Sequence, residues 1–429
     1  MLKRILSLLF LVFVLLLTAA CGEDGETANP GEDSNDNTEQ QDNEPADNAN
    51  NNTDTETEEP AEPIKIGVLA SLSGALEAYG LQTKQGFEIG LDYATDGTRE
   101  VAGRKIEIIY EDTETDPKVA RQKALQLLED EQVDFLVGSS SSGDTLAVTP
   151  LAEEYETVMV VEPAVADSIT GSEFNEYIFR TSRNSSQDAV AAAAAIAGDG
   201  VKIATLGQES SFGRDGIAAF VKAAEDLGAE IVHEEYADPA ATDFTANIQK
   251  IINADPDYVF VTWAGANSPW NQIADMKLQE QGIKISTGAP DIAALSTMMP
   301  LVGMEGFTVY YHDLPDNEVN DYLVEEHKKR FDGAVPDLFA PGGMSAAIAI
   351  VEALTKTEGN ADATTLIDTM EGMSFETPKG TMTFRPEDHQ ALQSLYAITL
   401  KEVEGVDYPV PVLNRVLTPE ETEPPIQNQ

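Results

Sequence analysis

The chain has 429 residues, with 26 Lys and Arg set against 76 Asp and Glu for a formal charge of −50. Such an acidic surplus excludes a nucleic-acid binder, which carries a basic footprint, and suits a salty or alkaline exterior where fixed charge keeps a protein in solution. Cys21 is the single cysteine, so no intramolecular disulfide is possible, and the four histidines, His233, His312, His327 and His389, lack the spacing of metal ligands.

Two cations, Lys3 and Arg4, precede an apolar run from Ile5 to Leu17, and Thr18, Ala19 and Ala20 lead to Cys21. A charged start, an apolar centre and small residues before a cut site spell a secretory signal over residues 1–20. The run falls short of the about 20 apolar residues that a membrane span requires. The segment resembles a bacterial lipobox, although Thr18 stands where leucine is usual and Leu17 lies one place further back. That resemblance implies a lipid on Cys21, anchoring the chain to the membrane on its extracytoplasmic face. Residues 21–63 then form a tether, in which Gly22 to Pro63 hold 15 acidic residues and no aromatic or large aliphatic side chain. A stretch of this kind cannot bury a core and stays extended by self-repulsion.

Residues 64–416 exceed one ordinary domain and point to two. Short apolar runs predict strands over 64–70, 105–110, 135–137, 158–161, 203–206, 231–235, 258–262, 283–287 and 308–311. Helical periods occupy 82–94, 119–129, 189–197, 217–227, 244–252 and 271–281. Asp116-Pro117 supplies a cap acceptor followed by a proline whose missing N–H costs nothing in a first turn, and Asp243 is placed to cap the helix that follows it. The C-terminal third adds helices over 319–331, 344–356 and 364–370 and a strand pair around 377–384 and 394–401, and the polar end after Thr418 reads as frayed. Alternating strands and helices mean an α/β fold, with parallel sheets covered on both faces and each half a doubly wound unit.

In open parallel sheets the loops leaving the carboxyl ends of strands form the ligand crevice. The first such loop is Ser71-Leu72-Ser73-Gly74, leading to Tyr79, which either lies over a guest as a lid or packs on its own helix. The next runs from Gly138 through four serines to Gly143 and Asp144, ahead of a helix whose unpaired first-turn amides suit an anion. The serine run lacks a G-x-S-x-G elbow and the chain lacks a phosphate loop, which favours binding over catalysis. A third loop, Glu162-Pro163-Ala164-Val165-Ala166-Asp167, faces the same crevice, with Asp167 placed as a helix cap.

The segments IKIGVLASLSGALEAYG, YEDTETDP, VGSSSSGDTLAVTPLAEE, VEPAVADSITG, SSFGRDG and FRPEDHQ, in that order within residues 64–410, resemble the Leu/Ile/Val-binding family of transporter-associated binding proteins. The resemblance implies the type I periplasmic-binding fold, a Venus-flytrap of two doubly wound parallel-sheet lobes joined by three hinge crossings. It places lobe 1 at 64–182 plus 313–378 and lobe 2 at 183–312 plus 379–416, with crossings near 180–183, 310–313 and 377–380 and a disordered tail over 417–429. It further implies a solute-binding lipoprotein of an ABC importer, without cofactor, metal or catalytic activity. Such a protein captures a branched-chain or hydrophobic amino acid and passes it to a permease and its ATPase. Aromatic carboxylates, amides or urea are the alternative guests, and signalling to a receptor is the alternative role.

Position by position, the family's carboxylate contacts fall on Ser142 and Gly143 and on Ala164 and Ala166, the last being alanine where amino-acid binders often have threonine. The second-lobe aromatic falls on Phe212. Ala266 occupies the place of an expected tyrosine, with Trp263 and Trp270 nearby as replacements, and Asp291, one position late, is the candidate partner for an ammonium group.

Overall fold

The computed structural model describes residues 61–265 and 267–428; the expected signal, Cys21, the tether up to residue 60, and Ala266 lie outside the described residues. The first lobe opens with β1 (Ile64–Ala70), α1 (Glu77–Ala94), β2 (Glu100–Val101), β3 (Arg104–Asp112), α2 (Pro117–Leu125), β4 (Phe135–Gly138), α3 (Ser142–Glu154), β5 (Val158–Val161) and β6 (Ile178–Arg180). These strands make one sheet in the order β2-β3-β1-β4-β5-β6. All its pairs are parallel except β2 with β3. β4 and β5 are buried along their whole length, which is why they read as unbroken apolar runs: helices cover both faces of a parallel sheet. Asp116 caps α2 by accepting from the Lys118 amide, as its sequence implied.

The second lobe takes α4 (Ser185–Ile196), β7 (Lys202–Gln208), α5 (Ser211–Asp226), β8 (Glu230–Ala237), α6 (Thr245–Asn253), β9 (Tyr258–Thr262), α7 (Trp270–Asp275), β10 (Lys284–Thr287), α8 (Ile292–Leu295) and β11 (Glu305–Thr308). Its sheet runs β10-β9-β7-β8, parallel throughout. The chain then returns through α9 (Glu318–Arg330), α10 (Ala340–Lys356), α11 (Ala363–Met370), β12 (Ser374–Thr377), β13 (Gly380–Phe384) and β14 (Ala391–Leu392), and ends with β15 (Leu395–Lys401) and β16 (Val410–Leu417). β15 lies antiparallel to both β11 and β16.

The return helix α10 packs along α1 at backbone contact distance, and three glycines make that possible. A Cβ on Gly86 would stand 1.8 Å from the Ala340 carbonyl oxygen, one on Gly90 2.7 Å from the Met344 carbonyl oxygen, and one on Gly343 2.0 Å from the Thr83 carbonyl oxygen. Residues more than 250 positions apart therefore share one core with Phe87, Ile89 and Leu91.

Three expectations about the C-terminal third are corrected. Residues 377–380 are not a crossing: Thr377 and Gly380 close the β12–β13 hairpin, and β13 pairs onward with β14. The hairpin stays with the first lobe, because Gln390 bridges Arg180 at the end of β6. The chain crosses instead at Gln393, whose side-chain amide donates to the Thr181 carbonyl, stitching the last crossing to the first. Accordingly 394–401 does not pair with 377–384 but with β11 and β16. The end after Thr418 is also not frayed. Thr422 is fully buried and donates to the Gln393 carbonyl, and the Pro424 carbonyl accepts from Arg385 at 2.7 Å. The tail's own polar groups find buried partners that its composition does not reveal.

Candidate ligand-binding site

Six loops at the carboxyl ends of strands meet between the lobes: those after β1, β4 and β5 from the first lobe and those after β7, β9 and β10 from the second. They enclose a cavity of about 480 Å³. Small-molecule sites have volumes of roughly 300–1,000 Å³. The loop after β1 is held by Asp112, whose Oδ1 accepts from the amides of Leu72 and Ser73 and whose Oδ2 accepts from the Ser73 hydroxyl. Burial alone would raise the Asp112 carboxyl; these hydrogen bonds hold it below the usual range.

One end of the cavity is built by two helix starts. Ser142, in the first turn of α3, accepts through Oγ from the amides of Val165 and Ala166 at 3.3 and 3.1 Å. The Val165 carbonyl in turn accepts from the amide and hydroxyl of Ser185, in the first turn of α4. The loop after β5 is thus clamped between two positive helix ends, and first-turn amides have no intrahelical acceptor. Beside them, Arg183 donates through Nε to Asp188 Oδ1 at 3.1 Å. Among the described residues these two are the cavity's one cation and one carboxylate. Burial pushes the Asp188 carboxyl up, against the pull of Arg183.

The rest of the wall is mostly apolar and aromatic, with Tyr79, Phe212, Phe260, Trp263, Phe307 and Phe339 on it beside the polar Gln208, Ser210 and Thr287. Tyr79 and Phe339 touch with ring centroids 4.4 Å apart, and Phe339 lies 5.8 Å from the Arg183 guanidinium. The lobes meet across the cleft at three places. The Gly265 amide donates to the Tyr79 hydroxyl at 3.4 Å, the Ile292 amide to Asp337 Oδ2 at 3.0 Å, and the Ser168 amide and hydroxyl to Asp215 Oδ2 at 3.1 and 3.0 Å. The arrangement is a closed clamp around a largely apolar chamber with one polar, positive end.

The sequence model of the family described as periplasmic binding protein matches residues 63–405. The chain belongs to the periplasmic binding protein family. Leu/Ile/Val-binding protein homolog 6 of Brucella abortus is 28% identical over 361 residues, covering 80% of this chain and 88% of that protein. A crystal structure from Rhodopseudomonas palustris, described as an ABC-type branched-chain amino acid transporter, is 46% identical with a TM-score of 0.76, covering 85% of this chain and 100% of that one. A solute-binding protein of an ABC transporter from R. palustris BisB5, solved with 3,4-dihydroxybenzoic acid, is 29% identical with a TM-score of 0.72, covering 82% and 96%.

In this periplasmic binding protein, Tyr79, Ser142, Gly143, Ala164, Phe212 and Trp263 of the expected site residues face the one cavity. Tyr79 does both things its sequence left open, since it is buried on its helix and also bridges to the second lobe. Two expected residues do not reach the cavity wall. Ala166 is fully buried, with its amide committed to Ser142 and its carbonyl to Arg180. Asp291 caps α8 by accepting from the Ala294 amide, because an aspartate just before a helix start finds that amide first. Trp270 is buried in the second-lobe core instead of on the wall. Arg183, Asp188 and Phe339 were not foreseen. The Asn184–Gln187 capping box, which marks the start of α4, is the signal that would have drawn attention to the first two.

Asp144, in the first turn of α3 of this binding protein, is fully buried, and neither carboxylate oxygen has a hydrogen-bond partner among the described residues. Burial pushes its pKa up to about 6, with Asp116 adding to the rise and the Thr113 and Ser141 hydroxyls opposing it. A carboxyl raised in the folded state costs stability once it ionises: the cost is absent well below the unfolded value and complete above about pH 6. Asp144→Asn is therefore expected to raise unfolding stability at pH 8 by about 2 kcal/mol, the gain shrinking as the pH falls through 6. Urea unfolding at pH 8 and pH 4.5 checks this, and an equal effect at both would refute it.

Proposed function

We propose that this periplasmic binding protein is the extracytoplasmic solute-binding component of an ABC importer, and that its guest is a small apolar monocarboxylate of aromatic class. One observation carries the choice of guest. The only carboxylate on the cavity wall among the described residues, Asp188, is committed to Arg183, while Asp291 caps α8 and does not line the wall. An anionic head has two helix starts and Arg183 to meet; an ammonium group finds no uncommitted carboxylate on the wall among the described residues. Six aromatic side chains suit a flat ring, whose stacking and apolar burial supply the bulk of the affinity. The relative solved with 3,4-dihydroxybenzoic acid supports this reading.

In operation, the guest enters between open lobes and its carboxylate docks at the starts of α3 and α4. Contacts from both lobes then favour the closed form, a hinge closure selected by differential contacts. Closure joins the two lobes into one surface for a permease, which an ATPase drives. Micromolar binding, worth about −8 kcal/mol, is sufficient for such delivery. No bond of the guest changes. The lipobox-like segment supports attachment through a lipid on Cys21, with the acidic tether giving reach; among the described residues no helix is long and apolar enough to cross a membrane.

A branched-chain amino acid is the second reading, favoured by the description of the 46% identical R. palustris protein. A thermal-shift series separates the two, since a guest held by the folded form alone raises the melting temperature by mass action. Benzoate and 4-hydroxybenzoate are expected to stabilise the purified protein, and leucine, isoleucine and valine to leave it where it was. The opposite pattern assigns the cavity to amino acids.

A further inference from the structure

Behind the polar end of the cavity lies a second, small chamber at the hinge, about 20 Å³, which shares Arg183, Val309, Leu338 and Phe339 with the first. Room for one water begins at roughly 10–15 Å³. Glu162 and Lys379 line it, and each hydrogen-bonds to a crossing segment. Glu162, at the end of β5, accepts from the Thr181 hydroxyl at 3.1 Å, and α10 closes over it: a Cβ on Gly342 would stand 2.1 Å from Glu162 Oε1. Lys379, at the β12–β13 turn, donates to the Gln393 side chain on the last crossing. Both residues are buried, at 3% and 8% exposure, yet they form no ion pair with each other within 4 Å. With the Arg183–Asp188 pair they make a buried quartet of two acids and two bases, of which Arg183 and Asp188 are part of the ligand cavity wall.

We propose that this quartet takes up a proton from solvent when an anionic guest docks beside Arg183, so that capture of monocarboxylates is favoured by acid and zwitterions are not subject to the same gain. The inference rests on the carboxylate reading of the cavity given above. A balanced set of two acids and two bases is upset by one more negative charge in a place shielded from water, and the cheapest remedy is a proton on the Glu162–Lys379 pair. A zwitterion brings its own cation and calls for none. The pair is poised for the exchange: burial pushes Glu162 up to about 7 against the pull of Arg183, Thr181, Lys379 and Arg180. Burial likewise pushes Lys379 down to about 7, helped by Arg183 and opposed by Glu162 and Asp188. The other charged groups facing the quartet are Arg180, beside Glu162, and Asp167, beside Asp188.

The sign is fixed by linkage. An incoming anion raises the proton affinity of both members of the pair, so binding takes up protons wherever the pair is otherwise partly deprotonated. Below pH 6 both are already protonated and nothing is taken up.

Titration calorimetry with benzoate at pH 7.5, in phosphate and in Tris, tests this on the unaltered protein. Buffers of different ionisation enthalpy are expected to give different binding heats, corresponding to roughly half a proton taken up per benzoate. Affinity is expected to rise about three- to tenfold from pH 8.5 to pH 6.5. Lys379→Met should bind benzoate at pH 7.5 without proton uptake, because the acid is then already protonated, and Glu162→Gln should take up less than the unaltered protein, because loss of the acid drops the lysine's proton affinity further below that pH. Benzoate binding with a heat independent of buffer overturns the inference while leaving the cavity's carboxylate reading intact. Absence of benzoate binding, with leucine binding instead, removes the carboxylate reading and the inference with it.

Discussion

Replacing Arg180 with leucine is expected to lower unfolding stability by about 3–5 kcal/mol, the largest single-residue effect on the fold. Arg180 is fully buried at the end of β6, where the first crossing begins. Its guanidinium donates to the Gln390 side chain at 2.6 Å, to the Ala166 carbonyl at 2.7 Å and to the Thr170 hydroxyl. Burial lowers its proton affinity to a pKa of about 10, with Asp167 and Asp388 acting against the fall, so it remains charged at neutral pH. Leucine would fill much of the space but leave three buried acceptors without donors, and an unpaired buried acceptor costs about 1–3 kcal/mol. Lysine should rescue little, because a single ammonium cannot span three acceptors arranged around a planar fork. Urea unfolding of R180L and R180K measures both; a loss below about 1 kcal/mol in R180L would show that the acceptors find other partners.

The largest expected effect on binding is at Arg183. R183M removes the cavity's one cation among the described residues and is expected to weaken benzoate binding about 100-fold, the range of a charged hydrogen bond lost from a sheltered site. Its stability should change less, since Asp188 is already pushed toward its neutral form by burial and can protonate once the arginine is gone. The companion change has the opposite sign. D188N releases Arg183 from its internal partner, so the guanidinium becomes fully available to a guest and benzoate should bind more tightly. Calorimetry on the two variants decides the matter: if both weaken binding, Arg183 positions the loop and does not hold the carboxylate.

Much of the architecture was legible residue by residue. β1, β5 and β9 begin and end at the residues their apolar runs marked, because strands buried almost throughout read as nearly unbroken apolar runs. The helices lengthened at their starts: α1 begins at Glu77 and not at residue 82, and α10 at Ala340 and not at 344, where glycines and small residues hide the apolar period. The short strands β6 and β16 gave no signal, the first because three residues are too few to show a period. The six-residue α7 replaced a longer expected helix, which breaks into turns before Gly282.

The site divides along the same line. Strand-end loops rich in serine, glycine and alanine pointed to the cavity, because in a parallel sheet such loops open onto the ligand crevice wherever the helices go. The partners of those loops were not visible. Ser142 spends its acceptor capacity on Val165 and Ala166, Asp291 on its own helix, and Phe339 reaches Tyr79 and Arg183 only because α10 returns to lie on α1.

The amino-acid sequence by itself determined the alternation of strands and helices, the two-lobed plan and the loops that face the cleft, since each follows from local pattern and from the chirality of parallel sheets. Only the tertiary structure decided which polar groups remain free for a guest. Hydrogen bonds and buried charges are matched between segments far apart in the chain, and a donor's availability depends on whether some distant acceptor has already taken it.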